Sequence, residues 1–144
     1  MTIAAMAWML LFVGAMHFPA MGHWFAVCCV SSLLACSSTP EVELGSVQVG
    51  TYTFDVTREG DAPEAGVTTR FVLKPTAGGN PTSITGWVGT LSGNGSVKAV
   101  AVYDAGDGDF DDDVTVPSPM PTGAKFFFDV STNGSVVTGS VDLK

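Results

Sequence analysis

Six aspartates lie close together between residues 103 and 114, where the chain reads YDAGDGDFDDDV. Carboxylates at this density suit Ca²⁺, which takes six to eight oxygen ligands in a flexible geometry. Two glycines within the stretch favour a loop or turn. The stretch is therefore a candidate calcium site, and its candidate metal ligands are Asp104, Asp107, Asp109, Asp111 and Asp113.

The spacing of Asp107, Asp109 and Asp111 resembles the opening of an EF-hand or thrombospondin-type calcium loop. An EF-hand loop has Gly at its sixth position and Glu at its twelfth, where this chain has Asp112 and Ser118. We therefore exclude an EF-hand and expect any calcium site to be irregular. The alternative is a solvated acidic loop or hairpin tip without metal, because two unit charges about 7 Å apart repel by only about 0.6 kcal/mol in water.

Several kinds of catalytic site are excluded by missing residue types. No histidine follows His23 and no cysteine follows Cys36, which excludes Ser-His-Asp and Cys-His arrangements and zinc sites of histidines and cysteines from the rest of the chain. The net charge of −8 argues against a nucleic-acid binder, since phosphates require a basic surface. No catalytic residue stands out, so we predict that the protein is not an enzyme. A carboxylate-dependent hydrolase is the alternative.

The N-terminal segment 1–40 differs from the rest of the chain because it contains no Asp, Glu, Lys or Arg. Segments 3–16 and 24–35 are apolar, and each is shorter than the ~20 residues that span a bilayer as a helix. Their length suits the hydrophobic region of a secretion signal. The second segment ends in LLAC, residues 33–36, and SSTPE follows. This tetrapeptide resembles the lipobox of bacterial envelope lipoproteins.

The resemblance implies that residues 1–35 are a signal peptide and that Cys36 carries a diacylglyceryl group at the mature N-terminus. It places the protein in the bacterial cell envelope. Ser37 follows the cysteine where Asp signals inner-membrane retention in that family, so the outer membrane is favoured. The alternatives are a secreted protein with an ordinary cleaved signal and an uncleaved apolar anchor. A start at Met16 or Met21 would shorten the signal.

The elements that position these residues are predicted to be β-strands. From Glu41 onward, runs of Val, Thr, Phe and Tyr alternate with Gly, Asn, Pro and Ser clusters, and no segment has a convincing helical period. Segments 51–57 and 67–74 alternate between apolar and polar residues. Segment 97–103, VKAVAVY, is apolar on both faces, which predicts a central strand covered on each side.

Turn signals divide these strands. Asn-Gly at 133–134 and at 94–95 predicts two hairpins. Val47 and Val49 occupy odd positions, whereas the apolar residues from Tyr52 onward occupy even ones, which predicts a bulge or bend at Gly50. Trp87 is predicted to be a core residue, with ligand stacking as the alternative.

The predicted fold is a small antiparallel β-sandwich of seven or eight strands, with a small β-barrel as the alternative. An apolar helical signal or anchor segment precedes it. The predicted organisation is a signal peptide or membrane segment over residues 1–35, a tether over 36–45 and the β domain over 46–144.

The sequence predicts an envelope-anchored lipoprotein whose small, non-catalytic β domain has a structural or binding role. Its predicted partner is membrane lipid, held through Cys36 or the apolar N-terminus; a protein or glycan partner stays open, and Ca²⁺ is the one candidate cofactor. The alternatives are a calcium-stabilised adhesion module and the hydrolase. A calcium module requires converging Asp oxygens, and a hydrolase requires two carboxylates facing each other across a groove with Trp87 or Tyr103. A binding module requires an exposed apolar or aromatic patch.

Overall fold

The computed structural model describes residues 39–144 except Asn133, and these residues form nine β-strands and no helix. The all-β class is therefore confirmed, with nine strands in place of the predicted seven or eight. The strands are β1 (Glu41–Val49), β2 (Tyr52–Glu59), β3 (Thr68–Ala77), β4 (Ser83–Gly89), β5 (Ala99–Val100), β6 (Val102–Asp104), β7 (Asp109–Thr115), β8 (Lys125–Thr132) and β9 (Ser135–Asp142).

The strands form two antiparallel sheets. Sheet A has the order β1-β2-β3-β7-β6, and sheet B has the order β5-β4-β8-β9. Aromatic side chains join their inner faces: Phe71 of sheet A stacks on Phe126 of sheet B with ring centroids 4.0 Å apart. Phe54 meets Phe128 edge to face at 5.8 Å. The described residues thus form two packed sheets, and the closed barrel considered as an alternative is not what they form.

Alternation of apolar and polar residues explains which face of β2 and of β3 enters the core. In β2, Tyr52, Phe54 and Val56 are buried, as the pattern predicts, and in β3 Phe71 and Leu73 are buried. Successive side chains of a strand point to opposite faces, so the intervening polar residues lie on the outside of sheet A. This alternation, more than any single residue, decides which polar side chains lie on the outer face of sheet A.

The first strand begins at Glu41, so residues 41–45 of the predicted tether belong to the β domain. The predicted bulge at Gly50 is wrong, because the chain reverses direction there and Val49 pairs with Tyr52 across a tight turn. Gly50 has a positive φ, a left-handed conformation that glycine adopts without strain.

The bulge in this hairpin lies nearer the start of β1. The register shifts between Glu43 and Gly45, which leaves Leu44 as the extra residue. Leu44 is buried in the core. The bulge changes the inward parity within β1, from Leu44 before it to Val49 after it. The parity change between Val49 and Tyr52 follows from the hairpin itself, because residues that pair across its two-residue turn share one face of the sheet.

The central strand predicted over residues 97–103 is wrong. This segment forms two very short strands, β5 at the edge of sheet B and β6 at the edge of sheet A. The chain passes from one sheet to the other at Ala101, which packs against the core, while Val100 and Val102 are exposed. Apolar character on both faces thus reflects a sheet-to-sheet crossing at the edge of the fold.

One predicted hairpin pairs as expected and the other has a different connection. Strands β8 and β9 pair antiparallel up to Thr132 and Ser135, although Asn133 itself lies outside the described residues. Strands β4 and β5 also pair antiparallel, but residues 90–98 join them as a long loop and not as a tight Asn-Gly turn.

That loop covers Trp87, which projects from the outer face of sheet B. The indole N–H donates a 2.8 Å hydrogen bond to the Thr90 carbonyl, and Lys98 Nζ lies 3.8 Å from the ring centroid. Phe127 stacks on the indole with ring centroids 5.6 Å apart. Trp87 is only 1% exposed, so it is a core residue as predicted, in a small cluster outside the main core.

The predicted signal segment 1–35 and the predicted lipid-attachment residue Cys36 lie outside the described residues. Over the described range, no helix is long and apolar enough to cross a membrane.

Candidate functional site

The aspartate-rich stretch forms a β-hairpin, composed of β6, a four-residue turn and β7. Asp104 pairs with Asp109 at the base of the turn. The Asp104 carboxylate accepts a 2.6 Å hydrogen bond from the Gly106 N–H, and its carbonyl accepts one of 2.8 Å from the Gly108 N–H. An aspartate that bonds the backbone two residues on is a common turn former. Asp104 therefore has a local structural task in the hairpin.

Most of the remaining aspartates lie on a strand, and this keeps their carboxylates apart. Asp109, Asp111 and Asp113 alternate along β7 with inward-facing residues, so consecutive members are about 7 Å apart along the strand. Ca²⁺ requires oxygens at about 2.3–2.6 Å from one point. In the described part of the chain, no group of three or more His, Cys, Asp or Glu residues could hold a metal ion. The calcium site stays a prediction that this geometry does not favour.

Asp113 is engaged by an arginine on the neighbouring strand. Arg70 donates from Nε to Asp113 Oδ1 at 2.9 Å and from a terminal nitrogen to Oδ2 at 3.0 Å. The hydrogen bond from Arg70 lowers the pKa of Asp113, and the pair raises the pKa of Arg70 in turn. A second carboxylate, Asp111, lies 4.0 Å from the same guanidinium. This arginine neutralises part of the charge of β7.

Asp112 points in the opposite direction, into the space between the sheets. It is fully buried, and neither carboxyl oxygen has a well-formed hydrogen bond among the described residues. Burial and, after it, the charge of Asp113 raise the pKa of Asp112 to about 7, while the backbone of Gly86 acts in the opposite direction. Gly86 of β4 faces the carboxyl, and a Cβ there would collide with Asp112 Oδ2 and with Phe126.

Sequence reasoning grouped Asp112 with its exposed neighbours, although a signal of its burial was present. In DFDDDV, Asp112 has the same parity as Phe110 and Val114, and both of these are buried. Alternation alone therefore places Asp112 on the inner face. What the alternation does not reveal is that a glycine on the opposite sheet leaves room for the carboxyl group.

The outer face of sheet A carries a broad, open depression of about 920 Å³, which we call the acidic face. Strands β1 and β2 contribute Glu41, Glu43, Asp55 and Glu59, and the β6–β7 hairpin contributes Asp104, Asp107, Asp109 and Asp111. Two cations of β3, Arg70 and Lys74, lie among these eight carboxylates. The formal charge of the lining is therefore −6, from eight negative and two positive groups.

Crowding of carboxylates affects their ionisation. Burial raises the pKa of Asp109, and Asp111 and Asp107 raise it further, while Lys74 lowers it. The Thr57 hydroxyl in the floor of the depression is buried without a hydrogen-bond partner among the described residues. A field of one sign over an open sheet attracts cations and repels anions.

The sequence revealed only half of the acidic face. The aspartates of the hairpin are consecutive enough to be noticed, but the carboxylates of β1 and β2 lie far earlier in the chain. Sheet pairing brings them to the same surface. The depression is lined by neither Trp87 nor Tyr103, the two aromatic residues expected beside a hydrolase groove.

No protein-family model matches this chain, and no curated protein or solved structure is significantly similar to it.

Proposed function

We propose that the chain is a bacterial envelope lipoprotein, anchored through Cys36, whose β domain is a non-catalytic binding module for a cationic partner. The acidic face carries the second half of this proposal, because it gathers eight carboxylates against two cations on one open surface. The LLAC tetrapeptide and the uncharged segment 1–40 support the anchor.

The openness of the acidic face favours binding over catalysis. Catalytic sites exclude water so that electrostatic interactions strengthen, whereas this surface is a shallow depression across the strands of sheet A. Complementary charge on an open surface mainly accelerates association and selects partners by sign. A basic protein segment fits this surface better than a small neutral ligand does.

Strand directions give the domain an orientation with respect to the proposed anchor. Only five peptide units join Cys36 to Glu41, a short tether even when fully extended, so the Glu41 end of sheet A lies near the lipid. Leu73, in the second half of β3, pairs with Phe110, near the start of β7, so the β6–β7 hairpin lies at the opposite end. In this proposal, the densest carboxylates project away from the membrane.

Binding is tested with full-chain protein in detergent and heptalysine as the probe. We expect Asp109→Asn combined with Asp111→Asn to raise the dissociation constant for heptalysine about tenfold at low salt. The matched control combines Asp61→Asn with Glu64→Gln, two exposed carboxylates outside the acidic face that change the net charge equally. The control should stay within about twofold of the original protein, and the difference should shrink at high salt because of screening. Equal weakening in both variants, or no binding at all, would overturn the proposed cationic partner.

The anchor is tested by the intact mass of protein from fractionated envelopes. We expect a mass that begins at Cys36 and includes acyl chains. Cys36→Ser should release the folded domain from membranes, because the substitution removes the thiol that would carry the lipid. Stable attachment requires more than one acyl chain. A mass equal to the unprocessed chain, or membrane retention of the variant, would refute the lipid anchor.

A further inference from the structure

The edge of sheet A formed by β6 is open. Strand β6 pairs with β7 on one side, and within the described residues no strand pairs with its other side. Its three residues are all exposed, including Val102 at 69% and Tyr103 at 43%. Backbone N–H and C=O groups on a free edge are ready to pair with another extended chain.

The opposite edge of the same sheet is protected. Strand β1 contains the bulge at Leu44, which interrupts regular pairing. Its far end also packs beside sheet B, where Val49 lies against Gly139 of β9. Strand β6 has no register irregularity against β7. Of the two edges of sheet A, the β6 edge is the one with regular pairing, and it is also the one that borders the densest carboxylates.

The side chains of β6 belong to two different surfaces. Val102 pairs with Asp111 and Asp104 pairs with Asp109, so both side chains are on the side of sheet A that carries the acidic face. Tyr103 pairs with Phe110 on the inner side, and their rings are 4.9 Å apart. A strand added beside β6 would therefore place one set of side chains next to carboxylates and the alternate set next to an aromatic ring.

We propose that the β6 edge receives an extended segment of a partner protein as a sixth strand of sheet A, with basic residues alternating with apolar ones. A basic residue lies opposite Asp104, and an apolar residue lies beside Tyr103. In strand addition, backbone hydrogen bonds supply affinity and alternate side chains supply specificity. This inference rests on the proposed cationic partner and specifies the form in which that partner binds.

Charge argues against a second copy of this chain as the occupant. Pairing two β6 edges would place the acidic faces of the two copies side by side. Carboxylates brought together on adjacent strands repel each other. A net charge of −8 on each copy adds to this repulsion.

The experiment uses full-chain protein in detergent and three capped heptapeptides. The first alternates lysine and valine. The second has the same composition with its lysines grouped together. The third is the alternating peptide N-methylated at three consecutive central residues, which blocks both of its hydrogen-bonding edges. We expect the alternating peptide to bind about tenfold more tightly than either control peptide, since only it offers both the side-chain pattern and the backbone donors.

Location is tested with two matched variants. Val102→Lys and Val136→Lys make the same charge change at valines of similar exposure, 69% and 61%. Val136 lies on β9, at the edge of sheet B. We expect Val102→Lys to weaken binding of the alternating peptide about tenfold. Val136→Lys should change the dissociation constant of this peptide by less than about twofold. Hydrogen exchange of the bound protein should show new protection at residues 102–104.

The outcomes separate the two proposals. If all three peptides bind with equal affinity, and Asp109→Asn combined with Asp111→Asn weakens the binding of each, strand addition is refuted and the cationic partner stands. Equal effects of the two lysine variants, or no protection at residues 102–104, would also refute strand addition at this edge. If none of the three peptides binds, both proposals fall.

Discussion

The outer faces of the two sheets are built by the same alternation but differ in how far they are covered and in their charge. On sheet B, the loop over residues 90–98 covers Trp87, and the local charges are paired: Lys98 with Asp129 at 3.1 Å and Lys125 with Asp142 at 2.8 Å. On sheet A, no described loop covers the outer face, and two cations lie among eight carboxylates. The face of sheet B is covered at Trp87 and its charged side chains are paired, whereas the face of sheet A is open and strongly negative.

This difference separates stability from recognition. A covered aromatic residue with a satisfied N–H contributes packing energy and has no surface left for a partner. Exposed carboxylates add little to stability, because solvent screens them, but they define a field that a partner can detect. Substitutions on the sheet B face should therefore mainly change folding, and those on the sheet A face should mainly change binding.

The largest expected effect comes from the covered face. Trp87→Ala removes the indole stacked on Phe127 and leaves a cavity under the loop, and such substitutions cost about 3–5 kcal/mol of unfolding free energy. The control is Val72→Ala, which removes an apolar side chain from the acidic face and should cost about 1 kcal/mol or less, since Val72 is only half-buried. Urea denaturation measures both. Similar losses in the two variants would contradict the contrast between the faces.

The next largest effect concerns the inner side of sheet A. Because the pKa of Asp112 is about 7 when folded and about 3.9 when unfolded, the folded state binds more protons between these values. Stability therefore falls as pH rises, by about 2–3 kcal/mol between pH 5 and pH 8 from this group. Asp112→Asn has no titrating carboxyl at this position. The fall in unfolding free energy that Asp112 causes between pH 5 and pH 8 should therefore disappear when denaturation curves of the variant at these two pH values are compared. An unchanged slope would show that Asp112 is not the buried acid responsible.

Asp113, the next residue, is expected to have a smaller effect on stability, with the opposite dependence on pH. Asp113 has a lowered folded pKa, so its pairing with Arg70 stabilises above the unfolded pKa and is lost as pH falls through the folded one. Both side chains are about half exposed, so Asp113→Asn should cost well under about 1 kcal/mol at neutral pH. The cost should shrink further in high salt. A loss of several kcal/mol would mean that this ion pair is shielded from solvent.

The smallest expected effect is that of calcium. Because the aspartates of β7 diverge along a strand, millimolar Ca²⁺ should raise the melting temperature by less than about 2 °C relative to EDTA, and Mg²⁺ should behave alike. A shift of about 10 °C that Asp109→Asn with Asp111→Asn abolishes would instead establish a calcium site, and the acidic face would then be a metal centre.

Local alternation allowed much of the fold to be predicted. Residues 52–57 and 68–74 lie on strands of sheet A with the predicted inward faces, and β8 and β9 pair as their turn signal indicates. Val67, which the alternation also predicts to face inward, lies before β3 and is exposed. The candidate site was predicted in part: the hairpin aspartates were found, but the carboxylates of β1 and β2 were not. Residues far apart in the chain cannot be assigned to one surface until strand order is known.

The sequence by itself determined the residue types available, the period of two in the longer strands and the contrast between an uncharged N-terminus and an acidic β domain. Only the tertiary structure decided that residues 97–103 cross between sheets and that β6 is left as a free edge. It also decided that Asp112 is buried against Gly86 while Asp113 meets Arg70. Alternation along a strand is a local consequence of backbone geometry, whereas burial and pairing depend on which strand becomes the neighbour.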